Sequence, residues 1–241
     1  MNLNEAIDAR RARRKYLPEP LDDATAAALG QVIDEQVAKG AGRVELVTGN
    51  GAAFAGFSRS YGMFTGVQNY VGLIAAQADK LAIEKLGYFG EVVALSAVGL
   101  GLGTCWVGGS FDRKGCPFTL EGDERVQCVI TVGPVEPEPS TKERLIRGMV
   151  HRRTKTIEQM STAEAPVPDW FTAGMVAVQK APSAVCRQPV IFDYRGGVVT
   201  ASVKASDDDT LLLDLGIAKL HFELGAGGGN WQWGSGGAFT R

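Results

Sequence analysis

The chain has 241 residues, is 45% hydrophobic, and sets 25 Lys+Arg against 27 Asp+Glu for a formal net charge of −2. That length buries one sizeable core or two small ones, and the near-balance of charge argues against a general nucleic-acid surface. No apolar run approaches the ~20 residues of a membrane helix, and the charged amino end carries neither an apolar stretch nor a cleavage site, so no secretory signal is expected.

The opening LNEAIDARRARRKYLPEPL reads as a short helix with Leu3, Ala6, Ile7 and Arg10 on one face, ending in an extended stretch at Pro18–Pro20. DDATAAALGQVIDEQVAKG begins with acidic capping residues and reads as a second helix, stopped by Gly40 and Gly42. RVELVTG alternates as a strand, Asn50–Gly66 has loop composition, and NYVGLIAAQ is a further strand. From Ala78 to Leu100 the apolar positions keep helical rhythm and run into the glycine punctuation of GLGTCWVGG. RVQCVITVG is a buried strand, KERLIRGMVHRRTKTIEQM is helical in part, and residues 161–168 have linker composition.

The second half then repeats the order of the first. DWFTAGMVAVQKAPS mirrors the second helix, while QPVIFDY and GVVTASV mirror the first two strands. Glu91-VVALSAVGLGLGTCW and Asp214-LGIAKLHFELGAGGGNW each hold an acid, a helix, a glycine-rich break and a tryptophan. An internal duplication is expected, with a first half over 1–160 and a degenerate second half over 161–241. The fold class is α+β, a layered sheet.

Four cysteines, Cys105, Cys116, Cys128 and Cys186, are too widely spaced for a CxxC pair, and His151 and His221 are the only histidines. No metal site is expected, and reduced thiols in a cytoplasmic protein are.

Three constellations have the residue types for ligand chemistry. Arg10 and Arg14 lie at i and i+4 of the expected helix, a fork able to grip a phosphate, with Arg152, Arg153 and Lys155 as a second basic group; a solvated charged face is the alternative for both. In APSAVCRQPVIF, Gln188 precedes a proline that favours extended backbone and has an amide suited to a heterocycle edge; a plain helix-to-strand connection is the alternative. The glycines from Gly99 to Gly109 let backbone approach a ligand, but they follow a helix, unlike the dinucleotide fingerprint, and are weak alone.

Taken together, RRARRKYLPEPL (Arg10–Leu21), GYFGEVVALSAVGLGLGTCWVGG (Gly87–Gly109), RVQCVITVG, HRRTKTIEQM, APSAVCRQPVIF and DLGIAKLHFELGA resemble the nitroreductase family, and more closely its fused members, the putative TM-type nitroreductases. The resemblance implies a nitroreductase-like α+β fold in which two fused half-folds mimic the family dimer. It also implies FMN as cofactor, NADH or NADPH as electron donor, and a nitroaromatic, quinone or similar small molecule as acceptor in ping-pong turnover. Arg10, Arg11 and Arg14, aided by Arg152 or Arg153, would hold the phosphate and ribityl chain. Backbone N–H groups at Trp106, Val107, Gly108 and Gly109 would approach the flavin N5 edge, and Pro182, Ser183, Cys186 and Gln188 would contact it from the second half. No side chain is expected to act as a catalytic acid or base. The complementary losses in the two halves imply one flavin per chain, in a monomeric pseudo-dimer or weak homo-oligomer, with neither nucleic acid nor membrane as partner.

Two departures stand out. Ala12 replaces the family's usual serine, and Cys186 its usual asparagine, removing an amide hydrogen bond worth about 0.5–1.5 kcal/mol. A thiol there is a small apolar filler or a redox group. These departures keep a flavin-binding protein without turnover, serving storage or interaction, as the alternative.

Overall fold

The computed structural model describes residues 1–55, 62–150, 154–205 and 207–241. Helix α1 (Leu3–Ala9) starts at an Asn2 capping box, in which the Glu5 N–H donates to Asn2 Oδ1 at 2.9 Å and the Asn2 N–H donates to Glu5 Oε2. It buries Ala6 and Ile7 against Leu95, Ala177 and Leu220. It also stops before the basic knot, so Arg10 and Arg14 do not share a helix face. Residues beyond Ala9 run as an extended arm, with bridges from Ala12 to Thr104 and from Lys15 to Thr65.

The arm runs along the β3 edge of a four-stranded sheet built from β1 (Arg43–Val47), β2 (Asn69–Ala76), β3 (Gly103–Val107) and β4 (Glu124–Gly133), in the antiparallel order β1-β2-β4-β3. Helix α2 (Asp23–Ala38) precedes this sheet, and α3 (Lys80–Gly99) connects β2 to β3. After α4 (Thr141–Val150) and the single turn α5 (Ile157–Met160), the chain adds β5 (Ser161–Ala163), α6 (Asp169–Val178), β6 (Ile191–Arg195), β7 (Val198–Ser202), α7 (Asp209–Ala226), β8 (Asn230–Trp231) and β9 (Gly237–Thr240). The second sheet runs β5-β6-β7-β9-β8. Its last four strands repeat the order of the first sheet, with α6 ahead and α7 inside as α2 and α3 are in the first. Two readings from composition are corrected here. The glycine punctuation after α3 contains strand β3, and part of the expected linker is β5, paired parallel to β6.

Helices α3 and α7 cross at the centre, and one hydrophobic core runs from Leu21 through Ile83, Phe171 and Phe222 to Phe239. The crossing is set by glycine. A Cβ on Gly216 would lie 2.0 Å from the Glu84 carbonyl oxygen, and one on Gly87 would lie 2.2 Å from that of Leu213. Either contact is far inside van der Waals distance, so any larger residue must push the helices apart. Both helices are capped by aspartate, Asp79 and Asp208, and Lys80 pairs with Asp209 at 2.6 Å. This fixes a register in which Gly87 meets Gly216. The sequence echo that set Glu91 against Asp214 is out of that register, because the two acids fall at different distances from their caps.

Two buried charges beside the crossing are fully paired. Lys219 Nζ donates to Glu84 Oε1 at 2.6 Å and to the carbonyls of Gln232 and Gly234, while the Gly234 N–H donates to Glu84 Oε2. The last hairpin is thereby tied to both helices.

Candidate functional site

Arg13 turns inward, donating from Nε to Glu143 Oε1 at 3.2 Å and from a terminal nitrogen to the Glu136 carbonyl. The N–H groups of Arg14 and Lys15 also reach Glu143 Oε1, at 2.7 and 3.1 Å, and Ser140 donates twice to Oε2. Burial alone pushes the Glu143 carboxyl up, but these donors outweigh it and hold it at about 2. Glu143 is thus a built-in anion that seats the arm against α4. The sequence showed no feature marking Arg13 or Glu143 for this.

Arg14 lines a cavity with Lys15 and the start of α4, and Arg10 lies beside Glu91. Both arginines pull down on the Cys105 thiol, which burial pushes up, and Cys186 from the second half acts on the same thiol. Arg10, Arg14 and Cys186 thus each lie near enough to the buried thiol of β3 to act on its charge. Arg10 is nearly buried, with Nε 3.8 Å from Glu91 Oε1. Among the described residues, three side-chain atoms are buried without a hydrogen-bond partner: Arg10 Nε, Thr104 Oγ1 on β3 and Tyr70 Oη on β2. Unmet buried donors of this kind mark a place for a polar ligand. Arg11 is exposed and donates to the carbonyls of Asp8 and Arg10, both at 2.7 Å.

Trp106 and Val107 close β3, and Gly108 and Gly109 follow at the surface. A Cβ on either glycine would meet nothing within 4 Å, so the backbone faces open space there. The Gly108 carbonyl is occupied by Arg113 at 2.7 Å, while Trp106 Nε1 donates to buried Glu91 Oε2 at 2.6 Å. Glu91 also meets His221, with Nε2 to Oε1 at 2.9 Å, and both side chains have no exposure. These two residues were missed as site residues. The available signal was an ionisable residue on an otherwise apolar helix face, which demands a buried partner.

From the second half, Pro182, Ser183, Cys186 and Gln188 sit on a half-buried loop around a short 3-10 turn, Ala184–Cys186. Gln188 is not extended as the following proline suggested: its φ is 47°, and Val185 and Cys186 are left-handed too, at 44° and 55°. Three such residues in one loop store backbone strain. Their partners hold them there. The Gln188 N–H donates to Ser183 Oγ, its amide oxygen accepts from the Lys155 N–H at 2.9 Å, and its amide nitrogen donates to the Gln179 carbonyl at 3.1 Å. The Gln188 amide, read from sequence as a heterocycle contact, thus stitches the Lys155 segment to α6. Asp214 accepts the Ala184 N–H, and burial pushes its carboxyl up to about 7. Arg152 and Arg153 lie outside the described residues.

A cavity of about 380 Å³ opens beside Arg14, lined by Met63, Thr65, Lys142 and Ile146 among others. All four cysteines are free, and among the described residues no cluster of His, Cys, Asp and Glu is arranged to hold a metal. No described helix is long and apolar enough to cross a membrane.

The family model described as "Putative TM nitroreductase" matches residues 2–226. A putative nitroreductase from Thermotoga maritima superposes with a TM-score of 0.62 at 20% identity, over 99% of this chain and 92% of that one. A nitroreductase family protein from Clostridium novyi matches at 0.44 and 15% identity, over 57% of this chain and 87% of its own. An FMN-dependent nitroreductase from Clostridium difficile matches at 0.40 and 17%, over 61% and 96%. No curated protein matches the chain.

Proposed function

Because the chain belongs to the putative TM nitroreductase family, we propose that it is an FMN-dependent oxidoreductase that takes electrons from NADH or NADPH and passes them to a nitroaromatic, quinone or similar acceptor. The observation that carries the cofactor assignment is the pair of buried, unpartnered polar atoms Arg10 Nε and Thr104 Oγ1, one on the arm and one on the strand the arm bridges, with the exposed Gly108 and Gly109 past the end of that strand. Those residues suit a ligand with an anionic tail and a flat polar edge.

Arg10 and Arg14 would take the phosphate through charge-assisted bonds. Thr104 Oγ1 replaces, from β3, the hydroxyl that Ala12 lacks. The 183–188 loop would contact the flavin from the second half. When bound, FMN supplies the two-electron chemistry, and the protein contributes orientation and charge. Nothing in this division needs a side-chain acid or base. Donor and acceptor would use the site in turn, by ping-pong kinetics.

The recurring strand order supports a chain made of two fused half-folds sharing one flavin. On that reading the cytoplasmic form is a monomer or a weak homo-oligomer. Anaerobic addition of NADH or NADPH to the FMN-loaded protein tests the proposal: the flavin absorbance bleaches and returns on adding a quinone or nitroaromatic. A loaded protein that neither donor bleaches supports the second reading, a flavin binder without turnover, which Ala12 and Cys186 favour.

A further inference from the structure

The Glu91–His221 pair joins the two halves directly behind Arg10. His221 Nδ1 lies 3.1 Å from the Ala177 carbonyl, which only accepts, so Nδ1 carries a proton. Nε2 lies 2.9 Å from Glu91 Oε1, and a hydrogen bond on that line needs one further proton between them. Wherever that proton rests, on the ring or on the carboxyl, the pair as a whole is neutral. Glu91 Oε2 is meanwhile committed to Trp106. Arg10 Nε sits 3.8 Å from Oε1, too far for a hydrogen bond, and has no other partner among the described residues.

Resting on the FMN reading above, we infer that His221 is a positioning residue for the phosphate site: by cancelling the Glu91 charge it leaves Arg10 an uncompensated cation for a phosphomonoester. Without the shared proton, a bare buried carboxylate 3.8 Å from the guanidinium would take Arg10 as its counter-ion, and in that dry setting the pairing would compete with the ligand. Glu91 itself is required as an acceptor for Trp106 rather than as a charge.

The test compares FMN with riboflavin, which lacks the phosphate, by fluorescence titration of the purified protein. His221→Gln keeps a donor for Glu91 but not the shared proton, so FMN affinity falls about tenfold while riboflavin affinity holds. Adding Glu91→Gln removes the stranded charge and restores the FMN-to-riboflavin ratio to within about threefold of wild type. In an Arg10→Gln background, His221→Gln has no effect on the ratio. A ratio untouched by His221→Gln, or a double variant worse than both singles, overturns the inference. Should His221→Gln fail to fold, Glu91→Gln alone decides: the ratio stays within about threefold, and a tenfold fall is the contrary result. Wild-type protein that binds neither flavin overturns the FMN reading itself, and the inference with it.

Discussion

The sheets β1-β2-β4-β3 and β6-β7-β9-β8 share one strand order, and each has a helix capped by aspartate inside it. Their surroundings differ. Around the first sheet, Arg10 Nε, Thr104 Oγ1 and Tyr70 Oη are buried without partners among the described residues, and Gly108 and Gly109 face open space. Around the second, Gln188, Lys155 and Gln179 satisfy one another, and Asp214 takes the Ala184 N–H. The strand order recurs, but among the described residues the buried side-chain atoms left without partners all lie around the first sheet. The other half supplies a strained loop and His221.

The joint between the halves is the place to break the comparison hardest. Gly216→Ala puts a methyl 2.0 Å from the Glu84 carbonyl oxygen; it is expected to cost about 3 kcal/mol or more in urea denaturation, through separation of α3 and α7. A change below about 0.5 kcal/mol would mean that the crossing is looser than described.

The seat of the first-half arm comes next. Glu143 is held at about 2, below its usual value, so its contribution is complete above pH 4.5 and lost as pH falls toward 2. Glu143→Gln should cost about 2 kcal/mol at pH 7 and flatten the acid limb of the stability profile. An unchanged acid limb would show that the arm is seated by something else.

Asp214, under the second-half loop, has the opposite sign. Burial pushes it up to about 7, so the folded state binds the proton more tightly than the unfolded chain. Its effect is to lower stability as pH rises from about 4 to 7. Asp214→Asn should therefore stabilise the protein at pH 8 by about 1 kcal/mol and leave pH 4 unchanged. Destabilisation at pH 8 would mean that the charged form is the one holding Ala184.

Much of the scaffold was legible because its signals are local. α2 has an acidic cap and a glycine stop, α3 an unbroken helical rhythm, and β4 a continuous apolar run, and all three formed where their patterns placed them. The arm was misread because Arg10 to Lys15 have good helix propensity, while the bridges to Thr104 and Thr65 that extend it are long-range. β3 was hidden because three glycines precede its only β-branched and aromatic residues. The site was legible as a set of segments but not as contacts. Gln188 and Arg11 spend their donors on neighbours that no spacing rule names. Glu91 and His221 are 130 residues apart and become a pair only when α3 crosses α7.

The central claim is that this chain binds one FMN through the arm of its first half. Titrating purified protein with FMN while following the quenching of flavin fluorescence, for wild type and Arg14→Glu, tests it most directly. The account predicts saturation at one FMN per chain for wild type and loss of binding in the variant, with the urea midpoint unchanged. An Arg14→Glu protein that binds FMN as tightly as wild type would contradict it.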